Sequence, residues 1–559
     1  MSASNPCSEA NITQLLQTFG EELFAPEDDD EDYGPNVTLS VASPPSLELL
    51  ARKAQQEVVR GDSVEEVVDT SLPILVFLSL MFLTYIIGYH LKRNGIMVLH
   101  ETGAALLLGC VFGAAMQYSA NNSFLYMVGG MGEFITVEKA LVFDDNFFFL
   151  VLLPPIIFDA GFNIVATVLK HRFWHNFDAI CLYAFLGTTI SMLTVGFVVY
   201  ESGQLGYSLD LPLLDSMCFG ALISATDPVT TLAIFQDLNA DLDLYSLVFG
   251  ESVMNDAISI VLYASVLSFK TIPLTSSSML MVFGTFWMCL LGSVLIGVGV
   301  ALAISLLLKH TSLNSPGYEH HEAALVMLSP YLAYLLATCF ELSGMVSILF
   351  CGVAMARYTV VNLSSDANEL VSNFYKLAAS VSEMFIFIYM GVAVFSLNLS
   401  GAYVRFACIS LLACLVSRFG EIYLCTGIIN SWRSKENRIN GRFKGALAFS
   451  GLRGAIAFAL CLSAQSDLEG EDTKALMTAT VLIVLFTVWV FGGSTKYLVD
   501  SLELRQEQAE LNCPGSPGSE KWQDRTSGKL IKAERRLSTY FRSEEASRAK
   551  EESRLSDSV

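Results

Sequence analysis

Residues 245–269 read YSLVFGESVMNDAISIVLYASVLSF. The run is long and apolar enough to cross a bilayer as a helix, yet it carries two carboxylates, Glu251 and Asp256, near its middle. An ionised group at that depth costs about 2.5–3.5 kcal/mol on insertion scales, so an intramembrane acid marks function by default. Ser252, Asn255, Asp256 and Ser259 recur at helical spacing and form one polar stripe, with Glu251 at its edge.

The rest of the chain is of the same kind. Of 559 residues, 53% are hydrophobic, and mean hydropathy is +0.50. Charged residues make up 16%, against roughly 25% in soluble proteins. Apolar segments of about 20 residues recur from 72 to 498, which implies an all-α polytopic membrane protein. The net charge of −22 excludes a nucleic-acid partner as an expectation. The twelve cysteines are scattered through apolar segments and read as small core residues. Residues 1–71 lack the apolar stretch of a signal peptide; with the acidic run Glu27–Asp32 they read as a largely disordered tail. Residues 72–498 form the membrane domain, and 499–559 a mixed-charge tail. There Arg535-Arg536-Leu537-Ser538 could be read by a basophilic kinase, though a solvated tail is the better reading.

Thirteen spans are expected, at about 72–91, 97–118, 144–161, 177–200, 212–236, 243–269, 278–308, 321–340, 342–357, 373–397, 401–427, 442–466 and 474–498. With the C-terminus cytosolic, the cytosolic edges hold Lys92, Arg93, Lys170, Arg172, Lys309, Arg357, Arg433, Lys435, Arg438, Arg442 and Lys444. The opposite side holds only Lys139, Lys270, Arg405 and Lys474, the asymmetry of the positive-inside rule. The sequons at Asn11, Asn36 and Asn121 then fall outside the cytosol and are glycosylation candidates, whereas Asn362 falls inside. The acidic loop Asp237–Asp243 fits the cytosolic side poorly. Thirteen divides as six, one and six, which makes the six-helix halves inverted repeats. The fifth and twelfth spans are interrupted, at Ala225-Thr226-Asp227-Pro228 and Ser450-Gly451-Leu452-Arg453-Gly454, with one charge at each break.

This pattern suits cation and proton handling. A carboxylate in a partly desolvated pocket holds a proton more readily than one in water. It is neutral either as an acid or with a bound sodium or potassium, and the two states exclude each other. Asn255, Ser252 and Thr226 offer neutral oxygens, and the break at Asp227 exposes backbone dipoles near the midplane. Asp227 also suits a helix cap. Arg418 and Arg453 need partners at that depth. Glu251 with Arg418 is the expected structural ion pair, and local pairing with Glu421 is the alternative. Arg453 is read as the charge complement at the second break, and Glu383 as a further intramembrane acid. Gly109-Cys110-Val111-Phe112-Gly113 suits helix packing within or between protomers. Neither a phosphate-binding G-x-x-x-x-G-K-[ST] nor a T-V-G-Y-G filter occurs, so an ion gradient is the expected energy source, with no cofactor beyond the transported ions.

The strings FFFLVLLPPIIFDAGF (147–162), FGALISATDPVTTLAIF (219–235), LVFGESVMNDAISIVL (247–262), ARYTVVNLS (356–364), SEMFIFIYMG (382–391), SGLRGAIAFAL (450–460) and FTVWVFGGST (486–495) resemble the eukaryotic sodium/proton exchangers, a family of monovalent cation:proton antiporters. ARYTVVNLS and FTVWVFGGST look most like the organellar (endosomal and Golgi) branch. The resemblance implies a homodimer in the lipid bilayer whose core shifts in elevator fashion against a fixed dimerisation domain. It implies Asp256 as the ion and proton carrier beside Asn255, Thr226 and Asp227 at the crossover, and Glu251 paired with Arg418. An Asn-Asp site implies electroneutral one-for-one exchange that sets lumenal pH, without enzymatic chemistry. A pH-gated cation channel and a sensor acting through its tail, where regulatory proteins would bind, are the competing readings.

Overall fold

A computed structural model describes residues 62–504 apart from 95–99, 123–146, 164–168, 228, 239, 271–275, 312–316, 398–399 and 469–470. Both tails, with Asn11, Asn36 and the kinase motif, lie outside the described residues, as do Pro228 and the side chain of Asn121. Residues Val68–Val559 form one compact unit; of the other, Met1–Val67, the described part is the start of the first helix.

Thirteen helical segments follow in chain order. They are α1 (Asp62–Arg93), α2 (Glu101–Asn122), α3 (Phe148–Asn163), α4 (Phe177–Gln204), α5 in two halves (Leu213–Ser224 and Val229–Asp237) and α6 (Leu242–Leu267). Then come α7 (Ser276–His310), α8 (Glu319–Cys339), α9 (Gly344–Asn362), α10 (Ser365–Ala393), α11 (Gly401–Trp432), α12 in two halves (Gly441–Phe449 and Ala455–Asp467) and α13 (Thr473–Ser501). A short helix, Leu169–His175, precedes α4. Each expected span is met by a helical segment among the described residues, and nine of the described helices are long and apolar enough to cross a membrane. Helix α1 begins at Asp62, within the segment expected to be tail, because hydropathy marks where a helix enters the bilayer and not where its hydrogen bonding starts.

Local sequence sets the ends. Asp241 caps α6, its carboxylate accepting from the Asp243 and Leu244 amides at 2.8 and 3.4 Å. Ser343, Ser364 and Ser400 cap α9, α10 and α11 in the same way. The acidic loop before α6 is compensated: Asp243 accepts from Arg172 at 2.7 Å and from Asn176 at 3.2 Å. Asn362 is buried and donates to Ser305, so its sequon is occupied by packing.

The helices fall into two bundles. Helices α1–α3 and α7–α10 make one, α4–α6 and α11–α13 the other. In the first, α2 crosses α10 and α3 crosses α9. Moving each helix seven places along the order turns one pair into the other, as inverted six-helix repeats require. Each crossing is closed by glycines. A Cβ on Gly391 would fall 2.8 Å from the Gly109 Cα, and one on Gly352 would fall 3.0 Å from the Phe162 amide nitrogen. The G-x-x-x-G at Gly109 therefore packs helices within the protomer. Phe82, Leu295 and Leu328 point outward, the apolar exterior that a bilayer solvates.

Candidate functional site

The two interrupted helices meet at their breaks. Helix α5 stops at Ser224, and the Asp227 amide donates to the Leu452 carbonyl at 2.9 Å, joining one break to the other. An ended helix leaves carbonyls at its C-terminus and amides at its N-terminus without partners. Here each half of the chain supplies the charge the other half needs. Arg453 donates through Nη1 to the Ser224 and Ala225 carbonyls at 2.9 and 3.3 Å, at the negative end of the first half of α5. Asp227 accepts from the Ala455 amide at 3.4 Å, at the positive end of the second half of α12. A Cβ on Gly454 would overlap the Asp227 carboxylate, so only glycine permits that approach. Asp227 thus reaches across the crossover to the second half of α12. Arg453 is 1% exposed, and its amide donates to Thr487 Oγ1 at 3.2 Å.

Helix α6 lies against this crossover, and its polar stripe divides. Ser252 Oγ donates to the Thr226 carbonyl at 2.8 Å. Asn255 Nδ2 donates to the Ser224 carbonyl at 3.1 Å and to Thr226 Oγ1 at 3.0 Å. Asn255 Oδ1 accepts from Thr188 Oγ1 at 2.6 Å and from Ser259 Oγ at 3.3 Å. Both ends of the amide are engaged, and it clips α4, α5 and α6 together. Asp256 points elsewhere, into a cavity of about 40 Å³ lined by Ile156, Ile157 and Ala160 of α3, Met345 and Leu349 of α9, Ile456 of α12, and Val253, Ala257 and Ile260 of α6. Asp256 is the sole polar residue in that lining, and its Oδ1 has no hydrogen-bond partner among the described residues. A buried carboxylate oxygen left unsatisfied in an apolar chamber is costly unless something binds it.

One turn before Asn255, Glu251 receives Arg418. Nη1 bonds Glu251 Oε1 in a close ion pair, and Nη2 reaches Oε2 at 3.2 Å, the two-pronged geometry of a strong charge-assisted pair. The same Nη1 also reaches Glu421 Oε1 at 2.8 Å, and Nη2 donates to the Leu447 carbonyl of α12 at 2.8 Å. Arg418 therefore contacts both of its expected partners, and it ties α6, α11 and α12 together. Glu421 at this node is a residue that sequence reasoning placed only as a local alternative; its i+3 spacing from Arg418 was the signal. Glu383, half-buried on α10, lies within electrostatic reach of Asp227 and Asp159. Asp159 itself accepts from Asn163 Nδ2 at 2.5 Å, and Asn163 accepts from Ser372. Among the described residues no cluster of His, Cys, Asp and Glu forms a resident metal site.

Comparisons with known proteins agree on one family. The family described as sodium/hydrogen exchanger, transmembrane, matches residues 63–500. Sodium/hydrogen exchanger 5 of Arabidopsis thaliana is 38% identical over 431 residues, covering 77% of this chain and 80% of that protein. The endosomal/prevacuolar sodium/hydrogen exchanger of Saccharomyces cerevisiae is 31% identical over 513 residues, covering 88% and 76%. The structure of the sodium proton antiporter MjNhaP1 from Methanocaldococcus jannaschii superposes with a TM-score of 0.54 at 18% identity, covering 78% of this chain and 96% of that one; at that identity the likeness concerns the fold.

Proposed function

The chain belongs to the sodium/hydrogen exchanger family, and from that premise we propose that it exchanges one sodium or potassium ion for one proton, electroneutrally, across an endomembrane. Cation:proton antiport by a multi-pass membrane protein is the family's activity. The finer reading rests on one observation: in a site where Ser252, Asn255 and Thr226 are hydrogen-bonded to one another and to neighbouring carbonyls, Asp256 offers an oxygen without a partner among the described residues. It accepts a proton or a cation, and either one neutralises it. Because the two exclude each other, loading one side with cation releases a proton there, and the reverse follows on the far side.

Alternating access is assigned to movement of the α4–α6 and α11–α13 bundle against the α1–α3 and α7–α10 bundle. The chamber wall contributed by α3 and α9 is Ile, Leu, Met and Ala, a surface with no directional bonds to break as the facing helices slide. The α1–α3 and α7–α10 bundle would be the fixed part, held as a homodimer. An endomembrane location draws on the yeast relative, which is named as endosomal/prevacuolar. A cytosolic C-terminus draws on the basic residues of one set of loops. Proton leaving an acidic lumen would then be traded for cytosolic cation.

Proteoliposomes with an imposed pH gradient test the reading. Sodium or potassium added outside should dissipate the gradient without changing membrane potential, and Asp256→Asn should abolish this. A gradient that survives both cations refutes the exchange, and an active Asp256→Asn refutes the site.

A further inference from the structure

The node around Arg418 holds one guanidinium and two carboxylates, all at 4% exposure or less. The two acids are not equivalent. Glu251 receives the guanidinium at both of its oxygens. Glu421 receives one donor at Oε1, and its Oε2 is buried with no partner among the described residues. That free oxygen faces the π-helical turn Tyr183–Gly187 of α4, about 4.0 Å from where a Cβ on Gly187 would stand. An ionised carboxylate that accepts from one nitrogen while its second oxygen is buried dry is poorly stabilised, and a second anion on the same nitrogen worsens it.

We infer that the node is electrically neutral, with Arg418 and Glu251 ionised and Glu421 holding a proton, and that Glu421 is a positioning residue that leaves Arg418 to Glu251. The charged and titratable groups acting on Glu421 are Arg418, Cys414 and Cys425 on its own helix, Glu251 on α6 and Arg453 at the break of α12, while the Tyr183 hydroxyl of the facing turn is bonded to Thr426. Their sum supports the assignment. Arg418 and Arg453 balance Glu251 and Asp227, so with Glu421 neutral these five groups add no net charge beside Asp256. Losing the Glu421 proton would set two anions competing for one Nη1. It would loosen Glu251 on α6, one turn from Asn255 and Asp256, so alkaline conditions would slow exchange through Glu421 as well as through depletion of substrate protons.

The test is Glu421→Gln in the full chain, since glutamine copies the shape and charge of the protonated acid. It should fold, keep the parent's maximal rate within about twofold (~0.4 kcal/mol) and keep its cation KM, while its exchange rate falls less steeply at alkaline pH. Glu251→Gln should lose tenfold or more. Infrared spectra of the purified parent should contain a protonated-carboxyl band that Glu421→Gln lacks. Because that band does not depend on transport, it separates failure of this assignment from failure of the exchange reading. A Glu421→Gln protein that fails to fold, one as inactive as Glu251→Gln, one with the parent's pH profile, or an unchanged infrared spectrum overturns the inference.

Discussion

Asn255 and Asp256 are neighbours in opposite surroundings, one with its hydrogen bonds filled and one facing an apolar cavity, and substitutions should separate them. Asn255 is 3% exposed, with two donations and two acceptances. Asn255→Ala should cost about 2–3 kcal/mol, since it strands several buried groups at once. The measurement is thermal unfolding in detergent, and an unchanged midpoint would show that the amide is not a mount. Asp256→Asn removes a charge whose Oδ1 makes no hydrogen bond among the described residues. It should leave the melting temperature unchanged or raise it while exchange is lost. A marked fall in melting temperature would mean that Asp256 supports the fold. Adjacent positions in the sequence give no warning of this split. Both residues belong to one polar stripe, and only the facing helices decide which is consumed by packing and which is left open.

At the scale of the element, the breaks carry the prediction. Gly454→Ala would drive a methyl into the Asp227 carboxylate that caps the second half of α12. Exchange should drop about tenfold or more, equivalent to ~1.4 kcal/mol in the barrier, as read by the liposome assay. Gly451→Ala instead meets the Arg418 side chain at Nε, Cδ and Cγ, behind a guanidinium held by Glu251, Glu421 and the Leu447 carbonyl, and should disturb that ion pair rather than the cap. An unchanged exchange rate in Gly454→Ala would argue that the cap is unimportant. The helices themselves were legible, because length and hydropathy suffice to mark a span. The interruptions were legible too, from proline and glycine beside a charge. What each break is completed by was not: Arg453 and the Ser224 carbonyl are 229 residues apart, and local pattern does not encode such a partner. The same holds for the glycine crossing of α2 with α10, which reads in sequence as fit for contact within or between protomers.

For the whole molecule, relative motion of the bundles is the testable claim. Ala160 of α3 and Ala257 of α6 line one chamber from opposite bundles. With the exposed Cys339 and Cys408 replaced, paired cysteines at 160 and 257 joined by a cleavable bifunctional thiol reagent should arrest exchange, and cleavage should restore it. Full activity in the joined protein would show that this interface does not slide. The reciprocal caps at the crossover also bear on how the protein is made. Helix α5 leaves the ribosome more than two hundred residues before Arg453 exists, so its open end must wait in the membrane with its carbonyls unanswered. The first half of the chain is therefore a dependent fragment during synthesis. Its breaks are completed only when the second half arrives, to be completed by it in turn.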